Sequence, residues 1–133
     1  MKKTGSKSLL LDANAVIDYF KGNKAVVSKI KSAKTIFLPA IVLGELYFGA
    51  NNSSNKQKHI RQIKKFINFC EILTVDSTTA IHYGTIKATL KKKGKPIPEN
   101  DIWIAAIARQ NKLTILSNDN HFRNIDSIAL ASW

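Results

Sequence analysis

Acidic residues are scarce in this chain. Nine Asp and Glu stand against 21 Lys and Arg, a formal net charge of +12 over 133 residues. The imbalance disfavours a neutral small molecule as main partner and favours a polyanion, either nucleic acid or an acidic protein. Charge alone is a weak signal, since many soluble proteins are basic for solubility. Cysteine is rarer still. The single Cys70 excludes an internal disulfide and a cysteine-rich zinc site, and it fits a reducing compartment. Beside Phe69 it reads as a small apolar filler. Long apolar runs are missing too. No stretch approaches the ~20 residues of a membrane span. The run after Lys2, Lys3 and Lys7 breaks at Asp12, too short for a signal peptide. These absences predict a cytoplasmic protein without a membrane. The length predicts one domain over residues 1–133, enough to bury roughly two-thirds of the unfolded surface. A hydrophobic content of 44% is ordinary for a globular protein.

Short β-like runs alternate with helical segments along the chain. Residues 8–11, 35–38, 71–75, 114–116 and 128–130 read as strands. Helices are predicted over 15–21, 25–32, 41–50, 56–70, 78–92 and 102–109. The 56–70 segment is amphipathic, with Ile60, Ile63, Phe66, Ile67 and Cys70 on one face and Lys58, Arg61, Gln62 and Lys65 on the other. The 102–109 segment is nearly all apolar and should be central. Alternation of this kind predicts an α/β fold, a three-layer α/β/α sandwich around a parallel sheet. Ligands in such folds bind beyond the carboxyl ends of the strands.

Four of the few acids lie against apolar segments. Asp12 follows Leu9-Leu10-Leu11, and Asp119 comes shortly after Leu113-Thr114-Ile115-Leu116. Glu45 is the only charge between Ala40 and Ala50, and Asp101 opens the apolar run from Ile102. A buried carboxylate is costly without a cation or hydrogen-bond donors. Each acid also has a plainer explanation. Asp12 suits a helix N-cap, Glu45 an ion pair with a lysine, Asp101 the first turn of a helix dipole, and Asp119 an Asx turn. Ser117 is placed to hydrogen-bond a neighbouring carboxylate or its own backbone. Taken together, four acids at strand ends and helix starts point to a metal site. Three or four carboxylates without cysteine select Mg²⁺ or Mn²⁺ over zinc. Such a site can activate water and neutralise a phosphate during displacement.

The segments Leu11-Asp12-Ala13-Asn14, Ile41-Val42-Leu43-Gly44-Glu45-Leu46, Asn100-Asp101-Ile102-Trp103-Ile104-Ala105-Ala106 and Ser117-Asn118-Asp119-Asn120-His121-Phe122 carry a resemblance over essentially the whole chain. They resemble the PIN-domain ribonucleases, and within these the VapC toxins of bacterial toxin–antitoxin pairs. The resemblance implies a parallel-sheet α/β/α fold and Mg²⁺- or Mn²⁺-dependent endonuclease activity on RNA. It maps the acid quartet onto Asp12, Glu45, Asp101 and Asp119. It further implies a homodimer and a VapB-like antitoxin whose C-terminal tail enters the site. Structured RNA such as tRNA, initiator tRNA included, is the implied substrate. Ser117 stands where family members frequently carry Thr, which keeps the hydroxyl. Asn14 is the implied holder of a water on the metal.

Lys58, Arg61, Lys65, Lys91, Lys92 and Lys93 are candidates for contacts to the RNA backbone; a solvated helix face explains any one of them as well. Trp103, Tyr47 and Phe48 are expected in the core, and His121 is expected to pack its loop rather than act as a base. Against the nuclease stands a non-catalytic RNA-binding module of the same fold, which the basic charge supports equally.

Overall fold

The computed structural model describes residues 7–133, so Lys2 and Lys3 lie outside the described residues. Five parallel strands form one sheet: β1 (Leu9–Leu11), β2 (Ile36–Pro39), β3 (Cys70–Leu73), β4 (Thr114–Leu116) and β5 (Ala129–Ala131). Six helices flank it: α1 (Ala13–Phe20), α2 (Lys24–Ser32), α3 (Ala40–Asn51), α4 (Lys56–Ile67), α5 (Ser77–Lys93) and α6 (Glu99–Asn111). A short 3₁₀ helix, Asn120–Asn124, joins β4 to β5. The three-layer α/β/α architecture is the one expected from the alternation of elements.

Strand order is β3-β2-β1-β4-β5. The chain builds outward from β1 to β3, then returns to place β4 on the other side of β1. The direction of winding therefore reverses between β1 and β4, the kind of point where open α/β sheets leave a crevice for ligands. Both central strands are buried along their length, Leu9-Leu10-Leu11 and Thr114-Ile115-Leu116. The edge strands β3 and β5 keep exposed residues. Covered on both faces, a central parallel strand has no polar side to show, so it reads as an apolar run.

Local signals set the element ends. Asp12 caps α1 by accepting from Ala15 N, and Asn23 caps α2 through Ala25 N and Val26 N. Asp76 and Thr79 form a capping box on α5, which ends at Gly94 in the left-handed conformation (φ 65°). Helices α5 and α6 pack antiparallel: Thr79 bonds Gln110, Tyr83 stacks on Trp103 with centroids 4.0 Å apart, and Lys87 pairs with Glu99 at 2.6 Å. This pairing brings the lysine-rich end of α5 to the start of α6.

Three expectations are corrected. The amphipathic helix ends at Ile67, and Cys70 opens β3 instead of joining the helix face. Burial pushes the Cys70 thiol up to about 11, so it is a poor nucleophile. Trp103 is half-buried against Tyr83 rather than in the core, and Phe48 is 72% exposed.

Candidate active site

Register explains how the site begins. Leu11 pairs with Leu116 across β1 and β4, so the next residues, Asp12 and Ser117, emerge side by side. Ser117 Oγ donates to Asp12 Oδ2, while Asp12 Oδ1 accepts from Ala15 N at 2.8 Å. Asp12 is only 4% exposed, and these two bonds satisfy both of its oxygens. The capping role and the site role thus coexist. Ser117 Oγ in turn accepts from the Asp119 backbone N–H at 2.9 Å, which turns the chain toward the crevice.

Asp119 N-caps the 3₁₀ helix, its Oδ1 accepting from His121 N at 2.9 Å. That tight turn brings the His121 ring back. Its Nδ1 lies 2.8 Å from Asp101 Oδ2 and 2.9 Å from Asp119 Oδ1. Asp101 sits in the first turn of α6 but caps nothing, because Pro98 holds the N-cap position without a side-chain bond. Glu99, a rival for capping, is taken up by Lys87 and Tyr83. The Asp101 carboxyl is left for the crevice.

Electrostatics tie the four acids together. The Asp12 carboxyl is pushed above its usual range by burial, opposed by its two hydrogen bonds, and raised further by the charges of Asp119 and Asp101. Asp101 is also raised, first by burial, with His121 pulling the other way and Asp119 adding repulsion. Glu45 is raised by partial desolvation and then by Asp101 and Asp12. These mutual effects put Asp12, Asp101 and Asp119 within reach of one another's charge, with Glu45 in reach of Asp101 and Asp12. Among the described residues, no Lys or Arg forms an ion pair with any of the four. Oxygen donors in excess of local positive charge, one of them buried, are the donor chemistry a hard divalent cation requires.

The placement of Glu45 differs from the expectation of a buried acid. Val42, Leu46 and Ala50 form the buried stripe of α3, and Glu45 lies at its edge, exposed as a residue. Its carboxyl still feels the cluster. A cavity of about 380 Å³ opens beside it, lined by Ile17, Phe20, Leu46, Ile63 and Lys58 among others. Of the basic candidates, Lys58 shares this cavity with Glu45, whereas Lys65 lines a separate groove with Tyr19 and Phe69. Asn14 is exposed.

The PIN-domain family profile matches residues 9–128. The chain belongs to the PIN-domain family. Within it, the chain is 35% identical over 127 residues to ribonuclease VapC2 of Haemophilus influenzae, covering 93% of this chain and 96% of that protein. It is 30% identical, with the same coverage, to a tRNA(fMet)-specific endonuclease VapC of Salmonella typhimurium. The DNA-bound VapBC crystal structure from Salmonella typhimurium superposes with a TM-score of 0.87 at 29% identity, covering 96% of this chain and 98% of that one. This PIN domain is thus a member of the VapC ribonucleases of toxin–antitoxin systems.

Sequence reasoning about the PIN domain's site missed one residue. His121 contacts two of the four acids, where a loop-packing role was expected. Two signals were available: its place in the Ser117–Phe122 segment that carries the family resemblance, and its position two residues after Asp119, a spacing that a 3₁₀ turn converts into a contact.

Proposed function

We propose that the protein is a divalent-metal-dependent endoribonuclease toxin that hydrolyses RNA phosphodiester bonds, acting as one domain over residues 1–133. What supports this reading is the mutual repulsion that links Asp12, Asp101 and Asp119 and joins Glu45 to Asp12 and Asp101, with no Lys or Arg ion pair to any of the four among the described residues. Those four carboxylates would hold Mg²⁺ or Mn²⁺. The chemistry the cation supplies is activation of water and neutralisation of charge developing on the phosphate. Ser117 and the start of α1 fix the Asp12 carboxylate, so its oxygens need no reorganisation when the substrate arrives.

The substrate class we propose is tRNA, initiator tRNA first, supported by the relative named for tRNA(fMet). Lys91, Lys92 and Lys93 stand at the end of α5 that faces the start of α6, two residues from Asp101, and Lys58 shares a cavity with Glu45. These positions suit phosphate contacts flanking the acids; Arg61 and Lys65 extend the basic face along α4. The similar VapBC complex supports a VapB-like antitoxin as partner, its tail entering beside Glu45 where the cavity walls are apolar. A homodimer in the cytoplasm completes the proposal. No described helix is long and apolar enough to cross a membrane.

The test is incubation of purified protein with a total tRNA pool, with Mn²⁺ or with EDTA, beside Asp101→Asn. Discrete fragments should form only with metal, and Asp101→Asn should slow them by at least about 100-fold, since removing even an outer-shell partner of a metal costs 10–100-fold. Tight binding with every RNA intact in all lanes would favour the non-catalytic RNA-binding module instead.

A further inference from the structure

We propose that His121 is a ligand of the cation held by Asp101 and Asp119, giving the site a mixed oxygen–nitrogen donor set that prefers Mn²⁺ to Mg²⁺. This rests on the metal-dependent reading above and names which residues complete the site.

The geometry is that of a three-cornered seat. His121 Nδ1, an Asp101 oxygen and an Asp119 oxygen all lie within 4.8 Å of one another. The two nitrogen-to-oxygen separations, 2.8 and 2.9 Å, are close to the edge of an octahedron built on the 2.0–2.1 Å bonds of a small divalent cation, about 3 Å. A single N–H can point well at only one acceptor, yet two carboxylate oxygens from different elements converge on this one nitrogen. A cation between the three atoms satisfies all of them at once.

The ring is also held for the task. Its backbone N–H is tied to Asp119 Oδ1, and the next residue, Phe122, is fully buried and anchors the 3₁₀ helix to the core. The side chain remains 44% exposed, and among the described residues its Nε2 bonds to nothing. Coordination through the Nδ1 lone pair leaves the ring proton on Nε2, where solvent accepts it.

The consequence is selectivity. Mg²⁺ is satisfied by oxygen and water; Mn²⁺ shares that preference for carboxylates but, as a transition-metal ion, accepts an imidazole nitrogen more readily than Mg²⁺ does. An all-carboxylate site would bind both with little contrast; a site with His121 in it would not.

The experiment is a Mn²⁺ titration of the metal-free protein, followed by pulsed electron paramagnetic resonance of the loaded wild type, His121→Ala, His59→Ala and Asp101→Asn. Wild type should show ¹⁴N modulation from a directly bound imidazole. His121→Ala should lose it and bind Mn²⁺ about 10–100-fold more weakly, with a smaller loss for Mg²⁺. His59→Ala, altered at the ring that shares Glu45's cavity, should retain the signal. Mn²⁺ bound to wild type without ¹⁴N coupling overturns the assignment, because His121 then only orients the carboxylates, and this result needs no variant to fold. Failure of wild type to bind Mn²⁺, or binding that Asp101→Asn leaves unchanged, overturns the metal-site reading itself.

Discussion

The surroundings of Asp12 disfavour its charged form. Burial and the nearby Asp119 and Asp101 raise its carboxyl, and two hydrogen bonds oppose them only in part. Asp12→Asn removes the charge while keeping an acceptor for Ala15 N. Because burial disfavours the Asp12 charge, we expect the metal-free variant to be more stable, with a higher Tm, while cleavage is lost. Calorimetry of the metal-free pair checks this; a lower Tm for Asp12→Asn would show that the carboxylate is better solvated than its burial implies. Ser117 acts through Asp12. Ser117→Ala should reduce metal affinity or activity about 10–100-fold, and Ser117→Thr, which keeps the hydroxyl, should restore it. Much of this placement was legible in the sequence, because an acid directly after an apolar strand has few places to go. Glu45 was legible as a candidate but not as an exposed residue: α3 is apolar all round, so its periodicity does not reveal which stripe is buried. His121 was not legible, since its contact depends on a five-residue 3₁₀ turn that leaves no periodic pattern.

Elements were easiest to place where caps and periodicity agree. Helix α5 has both, with a capping box at Asp76 and a left-handed glycine at its end. Helix α4 carried the error: its apolar stripe runs on to Cys70, but the chain leaves the helix at Asn68 so that Cys70 can pair with Ile36 in the sheet. Tertiary pairing outweighed local pattern there. Lys91 and Lys92 are exposed in the last turn of α5, and neither forms an ion pair among the described residues, whereas Lys93 pairs with Asp126 at 2.7 Å. Replacing Lys91 and Lys92 by Ala should weaken RNA binding nearly uniformly across sequences. The slope of log affinity against log salt should fall by about 1.4 to 1.8, two phosphate contacts at about 0.7 each on single strands or about 0.9 on duplex. An unchanged salt slope in filter binding would remove this end of α5 from the RNA path.

At the scale of the whole molecule, the acid cluster couples folding to protons and, on the proposed function, to metal as well. Asp12, Glu45 and Asp101 have raised carboxyls, chiefly through burial. The folded protein therefore holds these protons more tightly than the unfolded chain. The stability they contribute is complete below the unfolded carboxyl values, 3.8 for Asp and 4.5 for Glu, and is lost as pH rises through the raised folded ones. Asp76 and Glu99 are lowered, Asp76 by its capping bond to Thr79 and Glu99 by Lys87, so they work in the opposite direction. Both are exposed residues, and solvent screens them. Near neutral pH the metal-free acid cluster is thus a source of instability, which the proposed cation would relieve. Saturation at about 100 times Kd would add about 2.7 kcal/mol, and acidification through the raised carboxyl range would erase that gain as protons displace metal. We expect the Tm difference between Mn²⁺ and EDTA to be largest near neutrality and to collapse toward zero on acidification. In Asp101→Asn it should be small at every pH. A Mn²⁺ shift that stays constant while these carboxyls titrate would place the cation somewhere other than this crevice.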